Sequence, residues 1–454
     1  MSTSLHDRLQ RLRRASEEEA REAPGESSLE RLERTLVGET QATLSLKERL
    51  ARLVAAASRG RGGVTAVPLE ELVQGMKVEN ERGEFFLLES DVHLESHHGD
   101  APLSRFRALA PGTVATLTGE PELGSFDLSR AVFLDTETTG LAGGTGTAAF
   151  LVGIGFVEGE HFRLRQYFMR DYHEEPALLA GLAAELRRFS HLVTFNGRMF
   201  DVPLLETRYR LSRDRFPLAE APHLDMLGPS RRLWKARLES CRLQSLESAL
   251  LGVRREGDIP GEEIPRIYFD YVRRRDARAM ARVFQHNRLD VLSLAALAVL
   301  ACQWVEEGWA EDPRDVYSLA RVLDRARLPE RADACYRRTA EADASSYRVA
   351  ALLRLAARAR RAGEIGRACA LWSEAAEAGA FEALRALAIH HEHRERDLGA
   401  ALCAVERGLE LLAARKEEPG RMTQAFLARR RRLLRKLARV SPVSGPAGNP
   451  PGPG

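Results

Sequence analysis

Cysteine is scarce in this sequence, and its spacing excludes two common kinds of site. The chain has 454 residues and five cysteines, none in a CxxC pair: Cys241, Cys302, Cys335, Cys369 and Cys403. Structural zinc sites and the disulfide frameworks of small secreted domains depend on such closely spaced cysteines. We therefore expect neither, and the few cysteines suit a reducing compartment.

Long apolar runs are also missing. No uninterrupted apolar stretch reaches the roughly 20 residues that a membrane-spanning helix needs. The first eight residues, MSTSLHDR, lack the apolar core of a signal peptide. With 44% hydrophobic and 29% charged residues, the composition is typical of a globular protein. These features predict a cytoplasmic protein with no membrane segment.

A large excess of one charge is absent too, because 68 lysines and arginines face 65 aspartates and glutamates. The basic residues are nevertheless clustered. The first cluster is Arg231, Arg232, Lys235, Arg237 and Arg242; the second is Arg273, Arg274, Arg275, Arg278 and Arg282; the third is Arg429, Arg430, Arg431, Arg432, Arg435 and Lys436. Such clusters fit either a phosphate backbone or a solvated helix face. The solvated face is the favoured interpretation for the third cluster.

The chain is too long for one compact domain. Patterning predicts a charged, partly helical or disordered leader (1–64), a small β-rich segment (65–126), an α/β domain (127–305), tetratricopeptide-like helical repeats (311–440) and a disordered tail (441–454). Strands are expected at 84–88 and 113–117 in the β-rich segment, and at 131–135, 148–157, 162–169 and 192–195 in the next. Helices are expected at 177–189, at 201–211 and in segments up to residue 301. This order predicts a mixed sheet flanked by helices.

The helical-repeat prediction rests on a period. The last three cysteines recur every 34 residues, and the segment around Cys335 resembles the one around Cys369, with a looser copy around Cys403. A period of about 34 residues is the tetratricopeptide length. An ordinary helical bundle is the alternative.

Three acidic motifs lie in order along the α/β domain. Asp135 and Glu137 follow an apolar strand pattern, in which residues two apart share a face. Asn196 and Asp201 lie at a predicted strand-to-helix turn, where we expect Phe200 to pack inward. The third motif, His286 and Asp290, is on a predicted helix.

His286 and Asp290 are four residues apart, so they share one helix face. Taken alone, the motifs also fit a polar strand end, a helix start and a buried His–Asp hydrogen bond. Taken together, they gather four carboxylates, which would raise one another's pKa unless cations balance them. Mg²⁺ and Mn²⁺ prefer such oxygen ligands. The sequence therefore predicts a divalent-metal site held by Asp135, Glu137, Asp201 and Asp290.

A glycine-rich run follows the first motif. Gly144, Gly146 and Ala149 fit a loose dinucleotide-binding fingerprint, but that motif requires a following helix and a strand pattern follows here. A nucleotide-binding oxidoreductase is therefore not expected. We interpret the run as a turn and a tightly packed strand, with close backbone approach to substrate.

The ordered motifs resemble those of the DEDD exonuclease superfamily, which has a ribonuclease H-like fold. The resemblance implies an α/β ribonuclease H-like domain and 3′→5′ release of nucleoside 5′-monophosphates with two Mg²⁺ or Mn²⁺ ions. It assigns the metal to Asp135, Glu137, Asp201 and Asp290. His286 matches the position before the last acid, which is a His or Tyr in different branches, and is a candidate general base.

A closer resemblance, over residues 65–305, is to the bacterial YprB-like family of ribonuclease H-like proteins, a predicted nuclease group. It rests on residues 135–147, on the Asp258-Ile259-Pro260-Gly261 run with Ile264, Pro265 and Tyr268, and on the run from His286 to Asp290. We therefore expect a metal-dependent exonuclease with nucleic acid as substrate and a protein partner for the repeats. The alternative is a catalytically silent nucleic-acid-binding or scaffold protein with the same fold.

Overall fold

The computed structural model describes residues 66–140, 146–342, 346–414 and 420–440. The leader predicted for residues 1–64 and the tail predicted for residues 441–454 lie outside these residues. The described chain forms a mixed sheet flanked by helices and then an all-helical region, as predicted.

Nine strands occur in the described residues. They are β1 Gly75–Asn80, β2 Gly83–His93, β3 His97–His98, β4 Ala101–Pro102, β5 Ala131–Thr138, β6 Ala149–Glu158, β7 His161–Phe168, β8 His191–Thr194 and β9 His223–Asp225. Seven of them form one sheet in the order β1-β2-β7-β6-β5-β8-β9. β5 is antiparallel to β6 and parallel to β8, and β9 runs parallel to β8. The β1–β2 hairpin extends the same sheet beyond β7. The predicted domain boundaries stay predictions.

Eight α-helices accompany the sheet in the described part of the chain. They are α1 Leu69–Leu72, α2 Thr113–Thr118, α3 Glu175–Leu186, α4 Asp201–Leu211, α5 Leu227–Trp234, α6 Leu243–Leu246, α7 Ile264–Arg274 and α8 Met280–Glu307.

Helices cover both faces of the sheet. On β5, Val132 and Leu134 belong to a core shared with α3, α4 and α7. Ala131 and Phe133 alternate with them and belong to a second core shared with α8. A strand buried on both faces carries a continuous apolar run, which is why this strand could be predicted.

The longest of these helices, α8, is a core element. It is the one helix in the described residues that is long and apolar enough to cross a membrane, by length and composition only. However, 67% of its most apolar window is buried inside the protein. Contacts with the sheet and the helical region therefore account for its apolar surface.

The differences from the prediction lie in short elements. The strand expected at residues 113–117 is wrong, because this segment forms α2 between Gly112 and Gly119, which both have positive φ. Val114 and Leu117 are buried, so tertiary packing outweighs the strand preference of β-branched residues. Strand β9 was not expected, since three residues carry no detectable periodicity.

The helical region contains seven further α-helices in the described residues. They are α9 Pro313–Arg325, α10 Pro329–Glu341, α11 Ser346–Arg361, α12 Ile365–Glu377, α13 Phe381–His390, α14 Leu398–Ala414 and α15 Arg421–Val440. Successive helices pack against each other. Helices α9, α11 and α13 begin 33 and 35 residues apart, and the regularly spaced cysteines lie on α10, α12 and α14. The all-helical region is confirmed, whereas its assignment to tetratricopeptide repeats stays a prediction.

Candidate active site

The five predicted site residues line one cleft of about 370 Å³. Asp135 and Glu137 come from β5, Asp201 is the first residue of α4, and His286 and Asp290 lie one turn apart on α8. The structure thus brings together residues from three distant parts of the chain. Their catalytic and metal-binding roles stay a prediction.

A tight turn after β8 carries Asp201 to the cleft. Asn196 has a φ of 68°, in the left-handed region that few residues other than glycine adopt. The Asp225 carboxylate holds this turn, because it accepts hydrogen bonds from the backbone N of Asn196 at 2.7 Å and of Arg198 at 3.1 Å. The Thr136 hydroxyl then donates to Asp201 Oδ1 at 2.6 Å. Asp225 is therefore a structural support for the turn.

The prediction that Phe200 packs inward is wrong. The residue is 59% exposed and lines the cleft. Its backbone lies outside regular helix geometry, with φ of −124° and ψ of −71°, immediately before α4. The turn therefore buries Asp201 and leaves the Phe200 ring at the rim, where it can meet a ligand.

Glycines in β6 allow α8 to approach the sheet closely. A Cβ at Gly153 would lie 2.1 Å from Asn287 Oδ1, and one at Gly155 would lie 2.7 Å from Val291. Asn287 is fully buried and donates to Asp135 Oδ2 at 2.8 Å, while its Oδ1 accepts from Gln166 at 2.9 Å. The strand is tightly packed, as predicted, but at these glycines the close approach is to α8, whose Asn287 orients Asp135, instead of the predicted approach to substrate.

A strand follows the glycine-rich run, as predicted, because β6 begins at Ala149. This geometry does not match the dinucleotide-binding fingerprint. Residues 141–145 of the first family-like segment lie outside the described residues.

All four carboxyl groups are harder to ionise than usual. Burial and the charges of Asp290 and Asp201 raise the pKa of Asp135 well above its ordinary range. Burial and the charge of Asp135 raise the pKa of Glu137 in the same way. Burial raises the pKa of Asp201 to about 6, and it also raises the pKa of Asp290 against the opposing charge of Arg255. The cluster is therefore short of positive charge.

Arg255 is a buried cation beside the cluster that the sequence did not reveal. Its side chain is 6% exposed and forms ion pairs with Asp290, Glu247 and Asp258. Nε donates to Glu247 Oε2 at 2.7 Å, and Nη1 donates to Asp258 Oδ2 at 3.2 Å. A single arginine in a loop has no spacing that marks it. The only sequence signal near it was the family-like segment that begins three residues later, at Asp258.

Asp258 also orients the imidazole of His286. The His286 Nδ1 atom lies 2.8 Å from Asp258 Oδ1. Burial favours the neutral acid, but the bond from His286 and the charge of Arg255 hold the pKa of Asp258 below its ordinary value. An ionised carboxylate can only accept, so Nδ1 carries the proton of this bond. Nε2 is directed to the acids, 3.4 Å from Asp290 Oδ2 and 3.9 Å from Glu137 Oε1.

The residues of the cleft fit a divalent cation. Ligand atoms of Glu137, His286 and Asp290 all lie within 4.8 Å of one another. Asp135 and Asp201 face the same cleft, and a cation there would offset the repulsion that, together with burial, raises the pKa of Asp135. Carboxylate oxygens are the ligands that Mg²⁺ and Mn²⁺ prefer.

Comparison with known proteins decides the family. A family model described as RNase_H superfamily matches residues 132–302, which include all five predicted site residues. A Bacillus subtilis (strain 168) protein, named as the uncharacterized protein YprB, is 30% identical over 320 residues, covering 69% of this chain and 76% of the relative. The chain belongs to the YprB-like family of ribonuclease H-like proteins. Ribonuclease H-like proteins generally use divalent metals. The match to this superfamily also suggests a nuclease that acts on nucleic acid.

Proposed function

We propose that this ribonuclease H-like protein is a metal-dependent 3′→5′ exonuclease. The observation that supports this most is the cleft itself, where Asp135, Glu137, Asp201 and Asp290 converge and repel one another. A buried acidic cluster left short of cations stores an unfavourable free energy that a metal-bound substrate would relieve. The 3′→5′ direction rests on the likeness to DEDD exonucleases.

The four acids would hold two divalent ions, Mg²⁺ or Mn²⁺. When bound, such ions make water a better nucleophile and stabilise the charge that develops on the leaving oxygen. Asn287 holds the Asp135 carboxylate in place, and Thr136 holds Asp201. Fixed carboxylates of this kind reduce the reorganisation that the reaction would otherwise need.

His286 is placed to act as the general base. Its Nε2 faces the acids, and its Nδ1–H is held by the ionised Asp258. This tautomer leaves Nε2 free to accept the proton of the attacking water. Once the imidazole is protonated, Asp258 would stabilise the resulting charge.

The rim of the cleft offers apolar contacts for a terminal nucleotide. Phe200 is exposed there, and Pro265 and Leu204 line the same cleft. An exposed aromatic ring can stack on a base without reading its identity. This suits an enzyme that degrades strands irrespective of sequence.

The helical region would complete the proposed function as a binding module. Its helix pairs begin at intervals close to the tetratricopeptide length, which supports tetratricopeptide-like repeats that bind a protein partner. The proposal places this activity in the cytoplasm, in line with the composition.

The test is degradation of end-labelled strands by the full-length protein. DNA and RNA, single- and double-stranded, are incubated with Mg²⁺, Mn²⁺ or EDTA, and labels at the 5′ and 3′ ends report the direction. We expect divalent ions to be required and Asp201→Asn to abolish cleavage. Glu220→Gln removes an exposed carboxylate and is the matched control. A protein that binds strands but leaves them intact with both ions would instead be the silent binding protein.

A further inference from the structure

The basic residues of this chain differ sharply in what they contact. In the second cluster, Arg273 and Arg274 pair with Asp270, Arg275 pairs with Asp171, Arg278 pairs with Asp276, and Arg282 donates to the carbonyls of Gly257 and Asp258. In the third, three side chains surround Glu392. These cations mainly serve the protein's own structure.

The first cluster is different. Arg237 pairs with Asp315, but in the parts of the chain that the structure describes, Arg231, Arg232 and Lys235 form no ion pair with an acid. These three side chains line a groove of about 560 Å³ between α5 and the helical region. Across the groove, Arg321 and Arg325 of α9 also lack an acidic partner among the described residues. Five cations therefore face one groove.

This groove holds an unsatisfied polar atom. Arg232 Nε is buried and has no hydrogen-bond partner within the described residues. Burial and the charge of Arg325 also lower the pKa of Arg232. Buried polar groups in native proteins are nearly always paired, so an unpaired one requires an explanation. A phosphate oxygen would accept a hydrogen bond from Arg232 Nε and would also offset the local excess of positive charge.

Two aromatic rings lie among the cations. Tyr317 and Tyr347 line the same groove, with ring centroids 5.4 Å apart. The Tyr347 hydroxyl donates to the carbonyl of Ala236 at 3.2 Å, which fixes that ring beside the end of α5. Cations for the backbone and half-buried rings for unpaired bases are the combination that binds single strands.

Contacts link the turn after β8, which lines the cleft, to α5, which lines the groove. Asn196 lines the cleft, and its backbone is held by Asp225, two residues before α5 begins. Arg198 in the same turn contacts Glu120, and the charge of Glu120 acts on Arg232 in the groove. Contacts of the same turn therefore reach both the cleft and the groove.

We propose that the groove between α5 and α9 binds the backbone of single-stranded nucleic acid. Arg231, Arg232, Lys235, Arg321 and Arg325 contact the phosphates, and Tyr317 and Tyr347 stack on bases. This surface rests on the proposed nuclease function for its biological use, because it would hold the strand whose end enters the cleft. DNA and RNA share the recognised phosphates and bases, so both are expected to bind.

The test measures binding without cleavage. Full-length protein in EDTA is titrated into fluorescent oligothymidylate, oligouridylate or a DNA duplex, and anisotropy is followed at several salt concentrations. Arg231→Ala with Arg321→Ala removes two exposed cations. It should weaken the binding of both single strands about tenfold and lower the salt dependence by about 0.7 logarithmic units for each phosphate that is no longer neutralised. Arg231→Lys with Arg321→Lys should retain most of the affinity.

Arg431→Ala with Arg435→Ala is the matched control, since it removes two exposed charges from α15. It should bind as the wild type does. Equally weakened binding in both alanine pairs, or unchanged binding in both, would overturn the groove, and so would tighter binding of the duplex than of single strands. Failure to cleave is a separate outcome. A protein that binds strands through the groove but never cleaves them would contradict the proposed nuclease function and leave the groove proposal intact.

Discussion

Two buried clusters of charge in this protein are built in opposite ways. In the helical region, the side chain of Glu392 is fully buried and receives hydrogen bonds from Arg429, Arg432 and Lys436. Burial alone would raise the pKa of Glu392, but Arg432 and Lys436 lower it to about 2. In the cleft, four acids have raised pKa values although Arg255 pairs with one of them.

The difference separates a structural cluster from a candidate functional one. Around Glu392, the carboxylate and its three cations compensate one another within the protein, and the contacts attach α15 to the segment that follows α13. The interpretation of the third basic cluster as only a solvated face is therefore incomplete. The acidic cleft lacks such internal compensation, which is the condition expected where a cation or substrate binds.

Removing one acid from the cleft should have the largest effect, and on activity alone. Asp135→Asn keeps the size of the side chain but removes a proposed metal ligand. Cleavage should fall about 10³-fold or more, because metal assistance contributes several kcal/mol to the barrier. The melting temperature should not fall, since a repelled carboxylate is removed. Unchanged cleavage in a correctly folded variant would contradict the assignment.

Arg255→Met should destabilise the fold as well as the site. The substitution leaves Glu247, whose side chain is 1% exposed, without its cation. Breaking a buried ion pair costs about 3 to 5 kcal/mol of unfolding free energy, measurable by urea denaturation. Arg254→Met alters the exposed neighbour and should have little effect. Equal stability of the two variants would show that Arg255 is not a buried counter-ion.

Glu392→Gln should lower stability without lowering cleavage. Removing charge-assisted hydrogen bonds from three cations costs about 1.5 to 3 kcal/mol. The pKa of Glu392 falls from an ordinary 4.5 to about 2 on folding, so the stabilisation is complete above pH 4.5 and is lost as the pH falls toward 2. Thermal melts of wild type and variant should converge over that range. A constant difference down to pH 2 would exclude this role.

Gly153→Ala should have the smallest effect, acting on the cleft through packing. The new methyl would meet Asn287 at 2.1 Å and displace the amide that orients Asp135. Overpacking costs about 1 to 3 kcal/mol, and cleavage should fall with it. Gly366→Ala on α12 meets no atom within 4 Å and should slightly stabilise the helix. Normal activity in Gly153→Ala would show that α8 can shift freely.

Much of the sheet and the positions of the acids could be predicted from the sequence. The run at residues 131–134 is apolar because β5 is buried on both faces, and Asp135 and Glu137 share a face because strand side chains alternate. The third motif is on a helix, as the four-residue spacing indicated. Local periodicity records these features directly.

The features that the sequence did not predict depend on tertiary contacts. Phe200 lies at the rim because the turn at Asn196 directs it there, and no spacing encodes that direction. Arg255 pairs with an acid 35 residues away. The basic groove combines residues of α5 with Arg321 and Arg325. These two arginines are about 90 residues away in the sequence, so local clustering of basic residues does not reveal the groove.

The most direct measurement is calorimetric titration of Mn²⁺ into EDTA-washed full-length protein. The account predicts saturable binding to the wild type and to Glu392→Gln, and binding at least about tenfold weaker in Asp135→Asn and Asp201→Asn, since one carboxylate ligand is worth more than about 1.4 kcal/mol. Equal Mn²⁺ binding by wild type and both cleft variants, or no binding to any of them, would contradict the claim that these acids form a cation site.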